Sequence, residues 1–152
     1  MKPFARALLF ALALLVPTVT QLAVAQAQAA PDRVEVWKSP SCGCCGGWVD
    51  HMRAAGFAVT VHEVDDLEPV KRSGGVPEAL GSCHTALVDG YVIEGHVPAG
   101  DVRRLLSERP AARGLSVPGM PMDAPGMDMA TGEPYETILF GASGGDRVFA
   151  RH

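Results

Sequence analysis

Apolar and polar positions alternate over Val34-Glu35-Val36-Trp37, a β-branched and aromatic run that predicts a first strand. Ser39-Pro40-Ser41 breaks it. From Cys44 to Ala55 the period lengthens, with Cys45, Trp48, Val49 and Met52 at spacings of three and four, which predicts a helix capped at Gly56. Phe57 to Val64 returns to strand character. A strand-helix-strand order of this length implies a parallel pair joined by a crossover helix. Glu68 to Ser73 predicts a short helix ending at Gly74-Gly75. Cys83 to Val88 and Tyr91 to His96 flank Asp89-Gly90, a dipeptide that favours a two-residue hairpin turn. Ala99 to Arg109 follows as a helix with Val102, Leu105 and Leu106 on one face, stopped by Pro110. The order is β-α-β and then β-β-α, an α/β arrangement.

After about Gly114 the periodicity fades. Pro118-Gly119-Met120-Pro121-Met122 is echoed by Pro125-Gly126-Met127-Asp128-Met129, and neither stretch has a helical or strand period. It reads as an extended Met/Pro/Gly-rich segment, because such repeats cannot form a core alone. Tyr135 to Phe140 and Arg147 to Phe149 have the character of short strands packed on the domain.

The N-terminus has the layout of a secretory signal: Lys2 and Arg6 precede an apolar stretch from Ala7 to Val16. Alternating small residues in Ala23-Val24-Ala25-Gln26-Ala27-Gln28-Ala29 place cleavage after Ala25, Ala27 or Ala29. A membrane-spanning helix needs ~20 apolar residues, and Pro17 and the glutamines interrupt this one. The expected division is a signal peptide over 1–29, a metal-binding domain over 31–112 and a C-terminal extension over 113–152, with no membrane association after cleavage. The mature chain, about 120 residues, suits one domain with a real core.

The whole chain carries a net charge of −4. Without Lys2 and Arg6, 11 basic residues face 17 acidic ones, a charge of −6. Nucleic-acid binding has no electrostatic footprint here.

Four cysteines in an exported chain would ordinarily form two disulfides. Here three crowd into Cys42-Gly43-Cys44-Cys45, and neighbours such as Cys44 and Cys45 rarely meet disulfide geometry with each other. Cys42 and Cys45 keep a C-x-x-C spacing at a helix start, where backbone N–H groups and the helix dipole favour thiolates. That environment suits a redox dithiol and a metal ligand alike. A third neighbouring thiol, Cys44, would interfere with a dithiol and so favours the metal. A two-residue turn at Asp89-Gly90 pairs residues whose numbers sum to 179, which sets Cys83 opposite His96 on one face. His84 then falls opposite Gly95 and points the other way.

Sulfur-rich sites select Cu(I), zinc or iron-sulfur centres. One compact run plus a distant cysteine is unlike the two knuckles of a structural zinc site, and adjacent cysteines fit iron-sulfur spacings poorly. Four of the six methionines, Met120, Met122, Met127 and Met129, fall within ten residues, and thioethers suit Cu(I). Met52 is expected in the core. His51 is read as a structural histidine, with orientation of the site as the second reading, and His62 and His152 carry no signal.

Val36-Trp37-Lys38-Ser39-Pro40-Ser41-Cys42-Gly43-Cys44-Cys45, Ser82-Cys83-His84-Thr85, Glu94-Gly95-His96-Val97-Pro98 and Val117-Pro118-Gly119-Met120-Pro121 together resemble the CopG-type copper-resistance family over Arg33 to Met129. The resemblance implies a periplasmic protein with a thioredoxin-like fold and a C-terminal extension that helps bind metal. It also implies a multinuclear, thiolate-bridged copper centre that interconverts Cu(I) and Cu(II) for detoxification and efflux. Bridging sulfurs fit the spacing, since Cys44 and Cys45 cannot readily converge on one ion with Cys42 and Cys83. Where an ordinary thioredoxin has a cis-proline before its third strand, Ser82-Cys83 stands here. The expected ligands are Cys42, Cys44, Cys45 and Cys83, with His96, Met120 and Met127 as outer or occasional ones. Copper and a periplasmic efflux system are the expected partners, and the chain is expected to act as a monomer. A thiol-disulfide oxidoreductase using Cys42 and Cys45 and a passive copper metallochaperone are the alternatives.

Overall fold

The structure, a computed structural model, describes residues 32–127 and 129–152. The signal peptide expected over residues 1–29 lies outside the described residues. Among these, no helix is long and apolar enough to cross a membrane.

The chain forms a mixed α/β fold. Strand β1 (Arg33–Lys38) leads into helix α1 (Gly43–Ala54) and strand β2 (Ala58–Glu63), then helix α2 (Glu68–Gly74). A 3-10 turn at Glu78–Leu80 precedes β3 (His84–Val88) and β4 (Tyr91–Glu94). Helix α3 (Ala99–Glu108) connects to β5 (Gly114–Ser116), and β6 (Glu136–Phe140) and β7 (Arg147–Arg151) close the chain. All seven strands join one sheet in the order β2-β1-β3-β4-β5-β6-β7.

The β1-α1-β2 unit is parallel, as its crossover helix requires. The β3-β4 hairpin turns at Asp89 and Gly90, both at positive φ (46° and 85°), the geometry of a two-residue turn that follows strand twist. Its register pairs Thr85 with Glu94 and Val88 with Tyr91, the sum of 179 that the turn dictates. Both hairpin strands are shorter than their sequence pattern. β3 begins at His84 rather than Cys83, and β4 stops at Glu94, because Gly95 takes φ 70° and turns the chain out of the ladder.

Beyond Gly114 the chain continues the same sheet. α3 returns the chain so that β5 lies parallel to β4, and β6 and β7 continue the same sheet as antiparallel neighbours. The Met-rich stretch between β5 and β6 contains no helix or strand among its described residues.

Cys45, Trp48, Val49 and Met52 are the buried face of α1, the stripe set by their spacing. Trp48, Val49 and Met52 pack with Val34, Val36, Ala86 and Ile93 of the sheet and Val102 and Leu105 of α3 in a single core. Trp48 and Met52 are fully buried; burying side chains of this size contributes roughly 2–3 kcal/mol each. The Trp48 indole Nε1–H donates to Val97 O at 2.9 Å, which satisfies its polar atom and ties α1 to the loop after β4.

Candidate metal centre

The backbone turns directly from β1 into α1, with Cys42 N donating to Ser39 O at 3.1 Å and Gly46 N to Cys42 O at 3.3 Å. Cys42 occupies the N-cap position and no side chain caps the helix. The three clustered cysteines therefore sit on a helix terminus whose first N–H groups favour negative charge.

Cys83 arrives just before β3, the strand paired directly with β1, on a loop fixed at several points. Ser82 N donates to Glu94 Oε1 at 2.6 Å, Lys71 Nζ donates to Ser82 O at 2.8 Å, and Gly119 N donates to Gly81 O at 3.1 Å. Lys71 also pairs with the Glu94 carboxylate, which is fully buried and accepts from Thr85 Oγ1 at 2.7 Å. Buried charges are tolerated only when paired and hydrogen-bonded in this way. The loop delivers Cys83 Sγ to within 3.4 Å of Cys45 Sγ.

All four cysteine sulfurs lie within 4.8 Å of one another. Cys42 and Cys45 are joined as a disulfide, whereas Cys44 and Cys83 are free thiols, with Cys44 Sγ 3.5 Å from Cys42 Sγ. Two of the four sulfurs are thus occupied by each other in this state. Coordination by all four thiolates requires two electrons to open the bridge.

The hairpin brings His96 to the sulfurs as its register requires, with Nε2 3.0 Å from Cys83 Sγ. Its Nδ1 donates to Pro125 O at 2.8 Å, an orientation that presents the Nε2 lone pair to the sulfur, as backbone carbonyls commonly do for metal-binding imidazoles. His84 corrects the sequence reading. It does not point away from the site: its Nδ1 lies 3.4 Å from Cys83 Sγ, and its ring stands edge-on to His96 with centroids 5.0 Å apart. Alternation fails here because Cys83 lies outside the strand, so neighbouring side chains are not forced onto opposite faces. Cys83, His84 and His96 form a second group of convergent ligand atoms within 4.8 Å. His84 is fully buried beneath Trp48, and its Nε2 has no hydrogen-bond partner.

The methionines divide. Met52 is core. Met120 is 55% exposed and, with Met122, lines a surface groove of about 560 Å³ whose lining includes no cysteine. Met127 is half-buried, next to Gly126, which packs against α1. At Gly126, φ is 88° and a Cβ would stand 2.4 Å from Trp48 N and 2.6 Å from Cys44 O, so only glycine permits this approach.

His51 is structural, its Nε2 accepting from Ala99 N at 3.0 Å at the start of α3. His62 stacks on Trp37 and bonds Glu35 Oε2 at 2.5 Å, and His152 meets Asp101 Oδ2 at 2.9 Å.

Burial, and next the nearby Cys44, push the Cys83 thiol up to about 11. Burial, then the neighbouring His96 and Lys71, hold the His84 imidazolium well below the usual range, against an opposing backbone contact at Gly95. Both shifts favour the neutral forms of Cys83 and His84; a bound cation inverts that preference. The donor set of thiolates and imidazoles suits soft and borderline ions.

Residues 80–127, which span Cys83, His96 and the Met-rich segment, match the family described as "Protein of unknown function, DUF411". No curated protein matches the chain. Two solved structures of the copper resistance protein CopG, described as Form 1 and Form 2, share 42% and 41% identity with it. Each comparison covers 80% of this chain and 98% of the other, with a TM-score of 0.75. With identity at that level over nearly the full length of a solved relative, the chain belongs to the CopG copper resistance protein family.

Proposed function

We propose that this protein serves copper resistance in the periplasm by holding copper on Cys42, Cys44, Cys45 and Cys83 in a thiolate-bridged, multinuclear site. The observation that carries the reading is the convergence of four sulfurs, one from a distant loop, within 4.8 Å. The solved relatives named for copper resistance support the choice of ion. The strand order β2-β1-β3-β4, with α1 crossing between β1 and β2, supports a thioredoxin-like reading of residues 31–112. Residues 113–152 then serve as the extension that contributes to binding.

Copper supplies a one-electron Cu(I)/Cu(II) couple when bound, and thiolates with a nearby imidazole accommodate both states. Once an external thiol reductant has supplied the two electrons that open the Cys42–Cys45 bridge, the chain's own part is to release the cysteine protons and to hold the buried His84 and His96 rings beside Cys83. His96 is oriented by Pro125 O as an additional ligand. Met120 and Met127 serve as outer, occasional thioether ligands. Delivery to a periplasmic efflux system would follow from this role.

Metal analysis with an absorption spectrum on the reduced, copper-loaded protein tests the proposal. Several copper ions per chain with sulfur-to-metal charge-transfer bands are expected, and both are lost in Cys83→Ser. Unchanged copper content in that variant would refute the site. The disulfide favours a second reading, a thiol-disulfide oxidoreductase using Cys42 and Cys45. That reading requires disulfide-reductase activity in metal-free protein that survives Cys44→Ser and Cys83→Ser.

A further inference from the structure

In the oxidised chain the Cys42–Cys45 bridge has a free thiol at each end: Cys44 Sγ lies 3.5 Å from Cys42 Sγ, and Cys83 Sγ lies 3.4 Å from Cys45 Sγ. The two ends differ. Cys45 is fully buried, so its sulfur is reached from within the fold, and Cys83 is in contact with it. A separation of about 3–3.5 Å is that of reacting atoms poised for attack. Cys83 Sγ is also 3.0 Å from His96 Nε2, and His96 is oriented by its Nδ1, which donates to Pro125 O at 2.8 Å. A thiol, an imidazole and a group that orients the imidazole are the parts of an activated cysteine nucleophile. Burial favours the neutral Cys83 thiol, which makes contact with a base the condition for attack. At the other sulfur, Cys42 holds the N-cap of α1, where the first N–H groups favour a departing thiolate.

We infer that the oxidised, metal-free chain exchanges its disulfide internally, with Cys83 attacking Cys45 Sγ, Cys42 leaving and His96 carrying the proton. The Cys83–Cys45 bond forms as the Cys42–Cys45 bond breaks. The Cys83 proton passes to His96 Nε2 and is returned through solvent to the Cys42 thiolate. One disulfide and two thiols are present before and after, so no oxidant or reductant is consumed. Bond formation needs the two sulfurs to approach by roughly 1.4 Å, from 3.4 Å to the ~2.0 Å of a disulfide. The product bridge ties α1 to the loop before β3 and leaves Cys42 and Cys44, both half-buried, as the thiol pair at the start of the helix. Exchange thus moves the oxidised sulfurs inward and offers two thiols at the helix terminus. The inference goes beyond the copper reading, involves no metal and, unlike the second reading, needs no external disulfide.

The test uses the full metal-free chain with Cys44→Ser, which leaves one bridge and one free thiol among Cys42, Cys45 and Cys83. Its disulfide isomers are separated in acid, where exchange stops, identified by alkylation and peptide mass mapping, and each returned to neutral pH. Both isomers hold one disulfide and one thiol, so bond chemistry favours neither, and each should relax to one mixture with Cys45–Cys83 in roughly a tenth or more of the chains. Adding His96→Gln should slow that relaxation by roughly tenfold or more, as loss of a general base does, and leave the final ratio unchanged. Isomers that do not interconvert, or a mixture without Cys45–Cys83, would overturn the inference. An undiminished rate with His96→Gln, or one that falls only together with a shifted ratio, would overturn the role of His96. If the His96→Gln chain does not fold, interconversion of the Cys44→Ser isomers decides. The two readings fail separately. Normal Cu(I) uptake by the reduced unaltered chain without interconversion refutes only this inference, and interconversion without uptake refutes only the four-thiolate centre.

Discussion

The buried pair of Lys71 and Glu94 offers a direct test of how the distant cysteine is held in place. Glu94 is fully buried and the Lys71 side chain 13% exposed, so the pair is nearly desolvated. The carboxylate also accepts from Ser82 N and Thr85 Oγ1, and the ammonium donates to Ser82 O. Lys71→Met removes the cation and strands the carboxylate. Breaking a buried pair by removing one partner costs about 3–5 kcal/mol. With a urea dependence of about 1–3 kcal/mol per molar, the unfolding midpoint should fall by on the order of 2 M.

The double variant Lys71→Met/Glu94→Gln should recover much of that loss. The glutamine carbonyl still accepts from Ser82 N, and no buried charge remains without its partner. Because Ser82 precedes Cys83, Lys71→Met should also speed alkylation of Cys83, and the added glutamine should slow it again. Urea titrations of the three proteins, with mass-resolved alkylation rates, measure both effects. A cost below about 1 kcal/mol for Lys71→Met, or no recovery in the double variant, would refute the assignment of this pair as the anchor of the cysteine loop.

Three further outcomes are expected. Trp48→Phe deletes the donor to Val97 O and leaves a buried carbonyl unpaired, so thermal or urea unfolding should report a loss of about 1–3 kcal/mol. Gly126→Ala forces a Cβ into the α1 backbone at φ 88°, which should cost about 1–3 kcal/mol and lift the Pro125 carbonyl from His96; a red shift of Trp48 fluorescence would record the detachment. Acidification should destabilise the metal-free protein through His84: its folded-state pKa is depressed, so below the ordinary value of 6.5 the unfolded chain takes up a proton that the folded chain refuses. The stability present above pH 6.5 then declines as pH falls, by at most about 1.4 kcal/mol per unit from this group, and a His84→Phe variant that kept the full acid slope would contradict the assignment.

Periodic features were legible in the sequence because periodicity has a direct physical cause. The four buried residues of α1 follow from helical spacing alone, and the hairpin register from the two residues of its turn. The same arithmetic, carried two residues past the ladder, placed His96 at Cys83, because the loop and the turned-out end of β4 preserve the cross-strand neighbourhood. β5, β6 and β7 were harder to place. The pairing of β5 with β4, on which β6 and β7 then build, depends on α3 returning the chain to the sheet edge, a long-range choice that three residues of β5 do not encode locally.

His84 shows where such reasoning fails. Alternation assigns opposite faces only while the backbone stays extended and paired, and Cys83 precedes the first residue of β3. The turn there lets two consecutive side chains meet, and Trp48 from a different element presses the imidazole toward them. No spacing rule contains that contact, since it joins residues 36 positions apart through the packing of α1 on the sheet. One sequence cue was available: a histidine flanking the lone cysteine, in a strand whose remaining residues are apolar or small. The general consequence is that ligand candidates at strand ends should be judged by proximity to the cysteine in the chain as well as by facing, because the strand's last pair is where the facing rule loses its basis.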